Sequence, residues 1–583
     1  MKQGEARCRS LKAILLTALL VMTLAGAASA QQNQGSFFSD TYNYMFFGGQ
    51  TPLIPPEQVP GWLSGLSVTG FLNNTTGMWA NSANLQGLQN LDHSIGIPVS
   101  SSKNSLAVER NWMQVDFNEK LDSDNQFFIR WWGVYEPPYD YEAHAGFGDL
   151  YNQYTVRDAW WKHKWGPLSL FLGRQIVTWG ESIAFRVGDV INSQDFEWNF
   201  GFANLEQSRL PMWMIHPIVQ LPSWGPFGSN FFEGIIIPSW QPIYTNSPLD
   251  FGQVDLFAGQ RNRGGDVSLI APPTGGRFST YFGPTVGPGL GPAVCPISAR
   301  GCAPDWPQLT NPGPTTFASL DNYALPDNNL GGWEEGFRLH TVVYNTEMTG
   351  IFFHGHQYVP YWFLRGSPVP GNPNFQTFQV RYPQLNDVGA TLNRPIYLPG
   401  PTLGNIPFVL RTEGMWQDRT PFQDRNPLNP SAIKYSSTIN TLVALDVDSY
   451  TAMWLSRTGA ATMNLEWQNY TILSPSKTIS YVFTPEQQRH NEENVLLNLT
   501  DSWYWGDIVP DLVGIYNPDG NTFLLFPNLF LTPPWSSKYS VLLEYIGILS
   551  NDVLSSYAGG GFKGKSIFLA QFQYNFSVLQ SEK

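Results

Sequence analysis

The residues best suited to chemistry lie in one short stretch, "GRQIVTWGESIAFRVGDVIN", at residues 173–192. It places two guanidinium groups, Arg174 and Arg186, within a few residues of two carboxylates, Glu181 and Asp189. Opposite charges at this spacing can form ion pairs, bind a polar ligand or exchange protons in a catalytic site. Whether the stretch is an active site, a ligand gate or a structural fastening depends on the solvent around it, which the rest of the sequence must indicate.

The N-terminus predicts export. Residues 1–30 combine basic residues, an apolar run at 13–24 and a final Ala-Ser-Ala, which is the layout of a secretory signal peptide cleaved after Ala30. The alternative is a retained membrane anchor, but the apolar run is too short to span a bilayer. We expect residues 31–60 to form an N-terminal periplasmic or lumenal segment.

Composition narrows the protein class. Charged residues are 14% of the chain, against about 25% in an ordinary soluble domain, and aromatic residues are 15%. The formal net charge of -13 argues against a nucleic-acid partner. Because no later stretch is long and apolar enough for a spanning helix, the chain is either a large soluble β-protein or an outer-membrane barrel.

Alternation favours the barrel. From Trp112, "WMQVDFN" alternates apolar and polar residues, and so does "SIFLAQFQYNF" near the C-terminus, with Phe568 and Phe572 on one face. An apolar face meets lipid in a barrel and the core in a sandwich, and aromatic residues recur near strand ends as an interfacial girdle requires. The prediction is an all-β, closed antiparallel transmembrane β-barrel at residues 61–583. It has about 16 strands (roughly 14–18) and long inward-folded or extracellular loops.

Other motifs have simpler explanations than catalysis. "GGGFKGKS" at residues 559–566 fits a P-loop pattern but leads into a strand, so it is interpreted as a hairpin loop. His340, His354 and His356 are interpreted as lumen residues rather than metal ligands. Cys295 and Cys302 are predicted to form a loop disulfide in an exported protein. The sequence predicts no enzyme, no cofactor and no metal.

Several motifs resemble one family of Gram-negative outer-membrane barrels of similar length, described only as a domain of unknown function. The matching elements are "VRDAWWKH", Gly-Arg-Gln, Trp-Gly-Glu, Ile-Asn at 191–192, "FVLRTEGMW" and the run 496–576. The resemblance implies transport of small apolar or amphiphilic solutes across the outer membrane. It also implies work beside an envelope lipoprotein-like partner and a resistance-nodulation-type exporter. The aromatic alternation of the last strand resembles the signal that the barrel-assembly machinery reads, so we expect that machinery to be a partner as well. The late strands are similar, more distantly, to alginate-export barrels.

The predicted function is therefore an outer-membrane channel narrowed by residues 180–217, an aromatic-rich segment too long for a tight turn. Arg174 and Glu181 are expected to pair and pin this segment inside the lumen. The alternatives are a plugged barrel acting as an adhesin or scaffold, and a polysaccharide-export porin. The predicted constriction, ligand or tether residues are Arg174, Gln175, Trp179, Glu181, Arg186, Asp189, Phe196 and Trp198.

Overall fold

The structure is a computed structural model of the 583-residue chain. It describes Ile54 and residues 64–81, 83–84, 100–101, 103–104, 106–136, 151–193, 205–238, 317–324, 330–358, 361–366, 375–398, 406–424, 433–449, 461–475, 479–480, 490–550 and 566–579. The predicted signal peptide, the cysteine pair, Phe196, Trp198 and most of the glycine-rich motif at 559–566 lie outside these residues, and their roles stay predictions.

Eighteen strands form the wall of the molecule. They are β1 (Leu66–Trp79), β2 (Leu106–Lys120), β3 (Asn125–Glu136), β4 (Tyr151–Trp165), β5 (Leu168–Gln175), β6 (Met212–Gln220), β7 (Phe227–Ile237), β8 (Glu334–Val343), β9 (Thr346–His356), β10 (Gln384–Leu398), β11 (Ile406–Asp424), β12 (Ile433–Ser449), β13 (Ala461–Ile472), β14 (Asn491–Thr500), β15 (Ile508–Asn517), β16 (Thr522–Leu531), β17 (Tyr539–Ser550) and β18 (Ile567–Leu579).

The wall closes on itself. Each strand pairs antiparallel with its neighbour in the chain, and β18 pairs with β1 over a register that runs from Val68↔Leu579 to Trp79↔Ile567. Closure leaves no strand edge exposed, which the interior of a bilayer requires. The predicted closed antiparallel barrel is confirmed, and its 18 strands lie at the upper end of the expected range.

Alternation along the strands sorts side chains between the two faces of the wall. On β13, Leu465 and Trp467 are 40% and 39% exposed, whereas Glu466 between them is fully buried. On β18, Phe568 and Phe572 are exposed and Leu569 is buried. The outer face is therefore apolar and the inner face carries the polar side chains, as in a barrel that has lipid outside and a polar interior.

The two ends of the barrel differ. At one end, short turns join the strands, including residues 121–124, 166–167 and 344–345. The opposite end carries longer connections, including 176–211 and 238–333. We call these the short-turn end and the long-loop end. Short periplasmic turns with longer loops outside are the usual arrangement of bacterial barrels.

Small additional strands accompany the long connections. Phe317–Ala324, Phe375–Arg381 and Tyr361–Gly366 form a three-stranded sheet, and Ala83–Asn84 pairs with Ser100–Ser101. Ile479–Ser480 pairs antiparallel with the last two residues of β11. Within the described ranges, no helix has the length and apolar character needed to cross a membrane.

Candidate functional site

The chain leaves β5 after Gln175 and turns into the barrel. We call residues Ile176–Ser193 the inner segment. After it, Leu205–Ser208 form one helical turn, and β6 begins at Met212. The predicted segment end at Pro217 is wrong, because residues 212–217 already belong to the wall. Met212 and Met214 face inward there while Trp213 is 52% exposed. This alternation is that of a β-strand, although the same residues in sequence resemble a loop rich in Trp and Met.

The segment is anchored where it leaves the wall. Arg174 donates from Nε to the Pro211 carbonyl at 3.1 Å and from Nη1 to the Val156 carbonyl at 2.9 Å. Arg157, on the neighbouring strand β4, donates to the carbonyls of Gln207 and Arg209. Two arginines next to the point where the segment leaves the wall therefore bond the returning main chain, at residues 207–211, to the wall.

A buried carboxylate on β7 fastens the first turn of the segment. Glu233, only 1% exposed, accepts from Trp179 Nε1 at 3.1 Å and from His216 Nε2 at 2.8 Å. Its other oxygen accepts from Arg338 Nε on β8. The opposite side of the His216 ring lies 3.1 Å from Gln175 Oε1. Because Arg338 offsets the charge of Glu233, the carboxylate tolerates its burial.

The far end of the segment reaches β11 and β13, six and eight strands further around the wall. Glu413 accepts from the main-chain N–H of Glu181 and, at 2.7 Å, from that of Gly188. Glu466 accepts from Ser182 Oγ at 2.8 Å and from the Ile183 N–H at 3.0 Å. Two inward-facing carboxylates thus hold the segment tip by its backbone.

Arg411 completes this attachment. Its Nη1 donates to the Glu181 carbonyl, and its Nη2 donates to Glu466 at 3.1 Å. Its Nε and Nη2 also donate to the two carboxylate oxygens of Asp446 on β12. The guanidinium supplies the positive charge that the buried Glu466 needs, and it also pairs with the partly exposed Asp446. Gly180 and Gly188 allow the close approach, since a Cβ on Gly180 would lie 2.7 Å from Asp189 N and one on Gly188 3.1 Å from Glu413 Oε2.

Bonds within the segment fix its shape. Asp189 Oδ2 accepts from Arg186 Nε at 3.1 Å and from Arg209 Nε at 2.8 Å. The Asn192 side chain accepts from the Val177 N–H and donates to the Leu210 carbonyl. These bonds close residues 177–192 into a compact loop.

Apolar packing seats the loop against the inner wall. Trp179 is 1% exposed and Ile191 is fully buried. The cluster contains Val177, Trp179, Val187 and Ile191 from the segment with Met212, Met214, Ile235, Ile237, Ile351, Phe353, Met415, Leu442 and Ala444 from the wall. The segment therefore covers the inner face from β6 to β12.

The other half of the inner wall carries amides, hydroxyls and charges. Asp511 on β15 accepts from Thr500 Oγ1 and from Asn528 Nδ2. Arg130 on β3 pairs with Asp116 at 2.9 Å. Toward the short-turn end of these strands the interior is hydrogen-bonded and polar, as in the lumen of a water-filled barrel.

Sequence reasoning placed the right stretch inside the barrel but chose the wrong pair. Arg174 and Glu181 do not pair: Arg174 bonds to main-chain carbonyls at the near wall, while Glu181 lies at the far wall and is held by its main chain. Trp179, Gln175, Arg186 and Asp189 take part in bonding. The residues that sequence reasoning missed are Glu233, Arg338, Arg411, Glu413 and Glu466. An acidic or basic residue at an inward position of a strand is the signal that could have found them.

Within the described residues, no group of three His, Cys, Asp or Glu side chains could hold a metal ion. The site has the character of a fastening, with carboxylates that accept main-chain N–H groups.

Three solved structures are similar to the chain at low identity. OccD3 (OpdP) of Pseudomonas aeruginosa has 10% identity and a TM-score of 0.41, with 91% of this chain and 95% of that chain covered. OccAB1 of Acinetobacter baumannii has 7% identity and a TM-score of 0.43, covering 89% and 98%. The outer membrane channel DcaP of Acinetobacter baumannii has 8% identity and a TM-score of 0.34, covering 88% and 97%. These likenesses are distant, and the fold rests on the strand pairing described above.

No curated protein matches the chain at a significant level. A family model does match, over residues 109–492, and its description is a protein of unknown function (DUF1302). That span runs from β2 to β14 and includes the inner segment with all of its wall contacts. Because the match covers more than half of the sequence, the chain belongs to the DUF1302 family.

Proposed function

We propose that the protein is an outer-membrane channel whose pore is narrowed by the inner segment and whose solutes are hydrophobic or amphiphilic. The observation that carries this proposal is the attachment of the segment tip to Glu413 and Glu466, on the opposite side of its anchor at β5. A loop that is fixed at its base and at its tip inside a barrel reduces the open cross-section of the pore without sealing it. The signal peptide predicted at residues 1–30 supports export to that membrane.

The chemistry of the uncovered half of the wall supports an amphiphilic path. Near the long-loop end, inward apolar side chains form a cluster of Trp79, Val108, Leu524, Phe526, Ile546, Ile548, Ile567 and Leu569. Closer to the short-turn end, the same strands carry polar groups such as Asn528 and Gln573. A solute with an apolar body and a polar group can therefore contact apolar side chains near the long-loop end and polar side chains closer to the short-turn end.

A plugged barrel that acts as an adhesin or scaffold is the second candidate. The observation in its favour is the apolar packing between the segment and five wall strands, because a well-packed core resists displacement. In either case the lipoprotein-like partner and the exporter implied by the family resemblance are part of the proposal and can be sought by cross-linking in intact cells.

Reconstitution into planar lipid bilayers separates the two candidates. Wild-type protein should give discrete conductance steps in KCl, and a variant in which residues 182–189 are replaced by a short Gly-Ser linker should give larger steps. If the wild type is silent and the linker variant conducts, the barrel is plugged. If neither protein conducts although both migrate as folded, heat-modifiable barrels, the channel proposal fails.

A further inference from the structure

A cavity of about 370 Å³ lies between the start of the inner segment and the inner wall of β6, β7 and β8. Ile176, Val177 and Thr178 form one side of it, and the wall strands contribute apolar groups such as Ile218 and Phe231. The volume lies near the lower end of the roughly 300–1,000 Å³ found for small-molecule sites. This cavity plays no part in fastening the segment tip.

Arg338 brings free hydrogen-bond donors to this cavity. Its Nε is used by Glu233, and among the described residues its Nη1 and Nη2 have no hydrogen-bond partner. The guanidinium carbon lies 5.4 Å from the centroid of the Phe231 ring and 6.0 Å from that of Trp179, so two aromatic residues flank it. The side chain is 20% exposed, which leaves the Nη groups accessible to a ligand.

Glu233 does not oppose an anion as strongly as its charge suggests. Its Oε1 already accepts from Trp179 and His216, and its Oε2 accepts from Arg338. With both oxygens occupied, the carboxylate holds the guanidinium in a fixed orientation and offsets one charge. The cavity is therefore close to neutral and rich in donors, and it suits a singly charged group better than a doubly charged phosphate.

We propose that the Arg338 cavity is a binding site for small amphiphilic carboxylates, which dock a carboxylate on the guanidinium and an apolar body on Ile176, Ile218 and Phe231. Two parallel N–H groups of a guanidinium match the two oxygens of a carboxylate. The inference rests on the proposed function, since it names the class of solute that the channel would select. The site would hold such a solute beneath the inner segment, on the way past the constriction.

Three analogues of one body test the charge preference: 4-phenylbutyrate, 4-phenylbutan-1-ol and 4-phenylbutylamine. Equilibrium dialysis with the purified full-length protein in detergent measures binding of each. The carboxylate should bind most tightly and the amine least. Arg338→Gln should weaken carboxylate binding by about tenfold or more, because bonds to charged groups are the strong ones, and should leave alcohol binding nearly unchanged.

Two further variants make the result interpretable. Arg130→Gln is the matched control, since Arg130 also pairs with an inward carboxylate, that of Asp116, and its side chain is also 20% exposed, but it lies on β3, outside the cavity. Ile218→Trp fills the cavity and keeps both Arg338 and Glu233, so it should abolish binding of all three analogues. If Arg338→Gln fails to assemble, loss of carboxylate binding in Ile218→Trp still shows whether the carboxylate binds in this cavity.

Equal binding of the three analogues would overturn the inference, and so would equal effects of Arg338→Gln and Arg130→Gln. Conductance measured in KCl alone keeps the two proposals apart. A conducting wild type without carboxylate preference rejects the binding site and leaves the channel standing. A silent wild type that still binds the carboxylate through Arg338 rejects the channel and leaves a ligand site in a plugged barrel.

Discussion

Glu413→Gln is the sharpest test of the fastening. The side chain is 3% exposed and accepts the main-chain N–H groups of Glu181 and Gly188. A hydrogen bond to a charged group contributes about 1.5–3 kcal/mol, whereas a neutral one contributes about 0.5–1.5 kcal/mol. Replacing the carboxylate by an amide therefore weakens each of the two bonds by about 1–1.5 kcal/mol.

The two weakened bonds together destabilise the docked segment by about 2–3 kcal/mol. At about 1.4 kcal/mol for each factor of ten, the equilibrium between docked and released segment shifts by roughly 30- to 150-fold. In single-channel recordings, Glu413→Gln should spend a correspondingly larger fraction of time at a wider conductance level. Adding Glu466→Gln should widen the effect, although not additively, because both carboxylates hold the same segment.

Glu544→Gln is the control. Glu544 also faces the lumen, on β17, and among the described residues it makes no hydrogen bond with the inner segment. Its substitution should leave the frequency of wide openings at the wild-type value. The reasoning is refuted if Glu413→Gln assembles as a heat-modifiable barrel and its conductance record matches that of the wild type and of Glu544→Gln.

The remaining predictions concern three side chains. Arg411→Gln should destabilise the docked segment more than Glu413→Gln, by about 3–5 kcal/mol, because it removes the positive charge that offsets the buried Glu466 together with the bond to the Glu181 carbonyl; thermal unfolding followed by gel migration measures this. Glu181→Gln should leave conductance unchanged, because its contacts to the far wall use its main chain; a conductance rise would show that its carboxylate carries the tether. Asp122→Ala should slow or weaken assembly, because Asp122 accepts from the side chain of Asn125 and from main-chain N–H groups in the β2–β3 turn. These hydrogen bonds, led by the one from the Asn125 side chain, lower the pKa of Asp122. The stabilisation is therefore complete above the usual carboxyl pKa of about 4 and is lost as the pH falls further. Refolding yields of wild type and variant should converge in strong acid, and a constant difference between pH 7 and pH 3 would contradict this.

The barrel and the location of its inner segment could be predicted from the amino-acid sequence. Alternation with a period of two and exposed aromatic residues such as Phe568 and Phe572 follow from local geometry, since successive side chains of any strand point to opposite faces. Glycine and charge at residues 180–189 also marked a segment that does not continue the wall. Strand number was bounded only approximately, because several strands, β6 among them, begin in stretches that read equally well as loop.

Which charged side chains meet depends on the closed barrel and not on local sequence. Arg174 and Glu181 are seven residues apart and carry opposite charges, so local spacing favoured their pairing. The closed wall instead brings Glu413 and Glu466 to the segment, from 232 and 283 positions away in sequence. Such partners depend on how many strands separate two points of the barrel and on the register of each pair. No local sequence pattern encodes the strand separation or the register. Both the attachment of the inner segment and the cavity at Arg338 depend on them.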